Sequence, residues 1–259
     1  GGVSLGAYQA GLAYTLTRYF RQHRALQDPL TGQPATTQAY ATPYGGVADS
    51  LVAVTGTSAG AGNATASAVT WCTSQEVADD FRTSVHHDIW VPMDIESFLP
   101  ADPEAYAPDD GLLSPTALVP STLASQRALY RQAMRPGCEI PLGLALTRSI
   151  PARLLVGDNL TVSTSQYLAS YQLSANDDGS LSVKRHPLPK DQTLIAREMI
   201  PPARRGEIDK GSVVQAVLAS GSSPTIVAPR IIGHCVAEGE VPLGETYPDA
   251  PGCPRQAPY

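Results

Sequence analysis

Lysine is nearly missing from this chain. Lys184, Lys190 and Lys210 are the lysines in 259 residues, and arginine carries most of the positive charge. A net charge of −6 and a pI near 5.3, with no basic stripe to meet a phosphate backbone, argue against a nucleic-acid partner. No stretch is apolar enough to cross a bilayer. The uncharged run from Leu51 to Gln75 is rich in Gly, Ser and Thr and reads instead as a buried strand followed by a helix. None of Cys72, Cys138, Cys235 and Cys253 forms a C-x-x-C pair, which argues against zinc; no metal and no cofactor is expected. No internal repeat and no signal peptide is visible.

What remains is one sizeable globular domain, 42% hydrophobic, spanning residues 1–259. Its most informative element is Gly56-Thr57-Ser58-Ala59-Gly60, entered directly from the β-formers Leu51-Val52-Ala53-Val54-Thr55. Strand, sharp turn and helix with serine at the turn make the nucleophile-elbow pattern. Gly56 and Gly60 allow the strained turn and leave the Ser58 hydroxyl exposed at the end of the strand. Residues 59 to 70 are almost all small, so the following helix can pack tightly on a sheet. The plainer alternative is a helix that Ser58 merely caps.

A second element opens the chain. Gly1-Gly2-Val3-Ser4-Leu5-Gly6 leads into a helix expected from about 7 to 22, in which Tyr8, Leu12 and Leu16 share a face with Leu5 one turn earlier. A glycine-rich turn at a helix start offers free N–H groups and the positive end of the helix dipole to a phosphate or an oxyanion. The Gly-Lys-Ser/Thr ending of a P-loop is absent, and the spacing does not match a dinucleotide fingerprint.

Together the two elements resemble the patatin-like phospholipase family, with its G-G-G-x-R-G oxyanion loop followed by a G-x-S-x-G elbow. Gly111-Leu112-Leu113-Ser114, and Val214 through Ala219-Ser220-Gly221-Ser222-Ser223-Pro224, resemble later family segments, so the likeness runs from 1 to about 232. The resemblance implies an α/β three-layer sandwich, with a central mostly parallel sheet flanked by helices. It implies a serine acyl hydrolase acting on lipid or phospholipid acyl esters through a Ser–Asp dyad. Ser58 would be the nucleophile, and Gly1, Gly2, Val3 and Ala59 would hold the oxyanion. Peripheral membrane contact is expected with such a substrate.

Two departures stand out. Val3 replaces the loop's third glycine and Leu5 its arginine. The family's D-G-G or D-G-A motif is not found between Pro224 and Tyr259, where Asp249 precedes Ala250-Pro251. Asp110-Gly111 and Asp178-Gly179 read as turns. The expectation is therefore of an internal piece of a longer protein, without the strand before the oxyanion loop and without the aspartate strand. A conventional triad, Ser58–Asp209–His234, has the chain order of an α/β-hydrolase and is the alternative. A decayed, non-catalytic lipid-binding domain is a third. His23, His86 and His87 read as surface or boundary residues.

The remaining pattern gives a Gly/Pro/Thr-rich loop over 28–46, broken helical structure over 75–135 that would serve as a lid or covering layer, and a strand over 141–147. It adds a hairpin over 161–186, a strand or short helix over 192–200, a helix over 212–219, an extended run over 225–232 and a surface tail from 237. Cys235 and Cys253 flank a loop that a disulfide would close, leaving Cys72 and Cys138 as a second pair or two buried thiols. The even count leans toward an exported, oxidising setting.

Overall fold

The computed structural model describes residues 3–25, 51–74, 80–93, 96–99, 102, 113–156, 160–186, 197–199, 201–222 and 227–235. It is an α/β chain built on a mixed sheet. In order come α1 (Val3–Ala25), β1 (Val54–Thr57), α2 (Ala59–Cys72), α3 (Val85–Trp90), α4 (Val119–Arg131), β2 (Glu139–Val156), β3 (Leu160–Ala175), β4 (Leu181–Arg185), β5 (Arg197–Met199), β6 (Ala203–Arg204), β7 (Glu207–Ile208) and α5 (Lys210–Gly221).

The main sheet runs β1-β2-β3-β4, with β5 also on β3. β1 pairs with β2 and β5 with β3 in parallel, while the long β2–β3 and β3–β4 ladders are antiparallel. The described pairings thus depart from a mostly parallel sheet. The cause is local: β2 extends far past the expected 141–147 and folds back into β3, and β3 turns at Asn176–Gly179 into β4. That second turn matches the sequence reading. Gly179 adopts φ +78, which a turn glycine tolerates, and the Asp178 carboxylate accepts the Ser180 amide, so this aspartate is a turn residue.

The core forms where the alternating residues Ile140, Leu142 and Leu144 of β2 and Tyr171 and Leu173 of β3 meet α2 and α5. α2 is buried along nearly its whole length because Gly, Ala, Ser and Thr let it approach closely. Its last residue, Cys72, is disulfide-bonded to Cys138, just ahead of β2. Cys235 is also disulfide-bonded, and its expected partner Cys253 lies outside the described residues.

α1 packs on α2 and α3 and starts earlier than expected, at Val3. Its buried face is also different from the one the large residues suggest. Ala10, Tyr14 and Thr17 are buried, whereas Leu5, Tyr8, Leu12, Leu16 and Tyr19 are 41–76% exposed. Small residues set this choice: a Cβ on Gly6 would overlap the Trp90 ring. Among the described residues no helix is long and apolar enough to cross a membrane.

Candidate active site

The chain leaves β1 at Thr57, and Ser58 takes φ 54 and ψ −130 before α2 begins at Ala59. A non-glycine residue at positive φ is a strained exception, held only where surrounding structure demands it. Gly56 shows why glycine flanks this turn. A Cβ there would collide with the backbone of Gly60 and Ala61, because the strand end and the first helical turn nearly touch. Gly60, by contrast, has open space where a Cβ would stand.

Ser58 is the residue before α2, yet its side chain makes no capping hydrogen bond. The simple-cap alternative is therefore not what this serine does. Its amide donates to Ser220 Oγ at 2.8 Å, and the Ser220 hydroxyl donates to the Ala145 carbonyl at 2.6 Å. As the first residue of α2, Ala59 has a backbone N–H with no acceptor within its own helix, at the end where the helix dipole favours negative charge.

The start of α1 is fastened beside the start of α2. Buried Asn63, one turn into α2, donates to the Gly6 carbonyl at 3.2 Å and accepts the Trp90 indole N–H. Arg21, near the other end of α1, donates to the Thr70 carbonyl near the end of α2. The two helices therefore run side by side in the same direction, and their N-termini lie at the elbow end. Val3, the candidate oxyanion donor, is the first residue of α1, and Gly1 and Gly2 lie outside the described residues. An open groove of about 320 Å³ follows the elbow helix, lined by Gln9 and Ala13 of α1, Val54 and Thr55 of β1, and Gly60, Asn63, Ala64 and Ser67 of α2.

The triad residues are not brought together. Asp209 caps α5, accepting the Gly211 amide at 3.1 Å and the Tyr130 hydroxyl at 2.8 Å. Ser220, which touches Ser58, is at the opposite end of that helix, roughly 16 Å away at 1.5 Å per residue. That span exceeds what one imidazole can bridge. His234 packs its ring on Tyr167 of β3, 6.2 Å between centroids. Among the described residues no carboxylate bonds the Ser58 hydroxyl and no His/Cys/Asp/Glu cluster suits a metal ion.

Three residues escaped the sequence reading. Asn63 and Ser220 carried no signal beyond their place near motif segments. His86, expected at the surface or a boundary, is fully buried. Its Nε2 lies 3.1 Å from Ser67 Oγ, its Nδ1 has no partner, and burial lowers its pKa to about 4. The Asp110-Gly111 pair lies outside the described residues; Leu113, two residues further on, forms a parallel bridge with Val227.

No family model matches the chain, and neither a curated protein nor a solved structure is significantly similar to it.

Proposed function

We propose that this protein is a patatin-like serine acyl hydrolase that cleaves lipid or phospholipid acyl esters, with Ser58 as nucleophile. The observation that carries the reading is the backbone of Ser58, at φ 54 between a strand and a helix and free of any capping role. Such strain persists where a side chain must be presented, and a capping serine needs none of it.

In this reading Ser58 Oγ attacks the ester carbonyl carbon as a carboxylate base takes its proton. The resulting oxyanion rests on the N–H groups of Ala59 and of the α1 start, Val3 with Gly1 and Gly2. Collapse expels the alcohol, protonated by the base, and leaves an acyl-serine that water hydrolyses. A dyad rather than a triad is favoured because Asp209 is committed to the α5 cap, far from Ser58. The three-layer α/β sandwich of that family is proposed for the whole fold on the strand–turn–helix at Ser58, with the described β2–β3 and β3–β4 ladders antiparallel. The uncovered Leu and Tyr stripe on α1 offers an apolar surface for peripheral contact with a lipid aggregate.

The test is fluorophosphonate labelling of the full chain in its longest native form, read by intact mass beside Ser58→Ala. One adduct on the native protein and none on the variant is the expected result. Absence of an adduct on the native protein would remove the hydrolase reading and leave a non-catalytic lipid-binding domain.

A further inference from the structure

We propose that Ser220 is a positioning residue that braces the nucleophile by standing in for a missing rung of the sheet; its catalytic consequence rests on the reading of Ser58 as nucleophile. The register of β1 on β2 pairs Val54 with Leu142 and Thr57 with Ala145. Continued by one residue, it would set Ser58 opposite Leu146. In a parallel ladder the amide of that residue donates to the carbonyl of the residue preceding its partner, here Ala145. Ser58 makes no such direct bond. Its positive φ turns the chain away from β2, and the Ser220 hydroxyl fills the gap, accepting the Ser58 amide at 2.8 Å and donating to Ala145 O at 2.6 Å.

Only a group that donates and accepts at one atom can do this, and a hydroxyl is the smallest side-chain group that does. Ser220 occupies the last turn of α5, one residue before that helix ends at Gly221. Three elements thus meet at one oxygen: the end of β1, the middle of β2 and the end of α5. The arrangement restrains Ser58 at its amide without using its hydroxyl, so the side chain stays available while its backbone is held. Removing the hydroxyl leaves the Ser58 N–H and the Ala145 C=O without their partner. The cheapest relief is rotation of the elbow peptide toward β2, which re-aims Ser58 Oγ.

The experiment uses the full chain as Ser220→Ala, Ser220→Thr and the native protein. It reads fluorophosphonate labelling rate, thermal unfolding, and hydrogen exchange of the Ser58 amide. The native amide is expected to be protected. Ser220→Ala should speed its exchange and slow labelling, each by about ten-fold or more, with a melting temperature shift of only a few degrees. Ser220→Thr, which keeps the hydroxyl, should restore labelling to within a few-fold. Native-like labelling in Ser220→Ala, or a threonine variant no better than alanine, overturns the proposal. If the native protein does not label, the nucleophile reading fails, and the exchange measurement still judges the brace. A Ser58 amide that exchanges freely in the native protein overturns it whether or not the alanine variant folds.

Discussion

Acidification from pH 7 toward pH 4.5 is expected to weaken the fold through one imidazole. His86 is fully buried and flanked by Ser67 Oγ and the edge of the Tyr14 ring. Its Nδ1 meets no partner, so protonation would bury a charge and add a donor with nothing to receive it. Burial holds its folded pKa at about 4, against an ordinary value of 6.5 in the unfolded chain. Between those two values the unfolded chain binds a proton that the folded chain refuses, so stability rises with pH there. The contribution is fully present above about pH 6.5 and declines as pH falls toward 4. At 1.36 kcal/mol per pKa unit, the loss attributable to His86 between pH 7 and pH 4.5 is about 2 kcal/mol. The assay is urea unfolding at half-unit pH steps with disulfides intact, comparing the native chain with His86→Phe. Phenylalanine keeps the aromatic contact with Tyr14 and cannot titrate, and Ser67 can turn back to a carbonyl of its own helix. Carboxylates common to both proteins cancel in the difference. Native and variant stabilities that fall in parallel with pH would refute the reasoning.

The other predictions concern the elbow and its neighbours. Gly56→Ala should destabilise by more than about 2 kcal/mol in chemical denaturation and abolish labelling of Ser58, because the added methyl has nowhere to go. Gly60→Ala meets open space in a helical position and should be neutral or stabilising by up to about 1 kcal/mol. Asp209→Ala should lower stability by about 1 kcal/mol through loss of the α5 cap and leave the labelling rate within a few-fold. His234→Ala should also retain labelling within a few-fold, and a loss of several orders of magnitude would restore the triad.

The elbow was legible in the sequence because its determinants are local: a β-forming run, two glycines and a helix of small residues, all within twenty positions. Ser58 and Gly56 behave as the motif requires. Gly60 does not need to be glycine for the space around it, which short-range pattern could not reveal. The burial of α1 was misjudged for a tertiary reason. Periodicity identifies a face of large apolar residues, but Trp90 and Asn63 claim the face that carries Gly6 and Ala10, since only small residues let the helix approach. His86 reads from the sequence as a surface or boundary residue because nothing within its own helix marks Ser67 and Tyr14 as its neighbours. The length of β2 was missed because Arg148 and Pro151 break the apolar run at 141–147, while the hydrogen-bonding partner β3 carries the strand on to Val156. The sequence leaves Cys72 and Cys138 as a pair or as two buried thiols, and the place where α2 ends against the start of β2 decides for the pair.

That disulfide has a topological consequence. β1 leads through Ser58 into α2, α2 ends at Cys72, the bond crosses to Cys138, and β2 runs from there back alongside β1. The elbow therefore sits on a hoop whose far side is closed by sulfur, about 20 Å down the axis of α2. With the bond intact, α2 cannot slide along the sheet without pulling on β2, so the helix is held at both ends, by the turn at Ser58 and by the sulfur bridge at Cys72. Under reducing conditions the hoop becomes an open arch, and the covalent tie between the end of α2 and the start of β2 is gone.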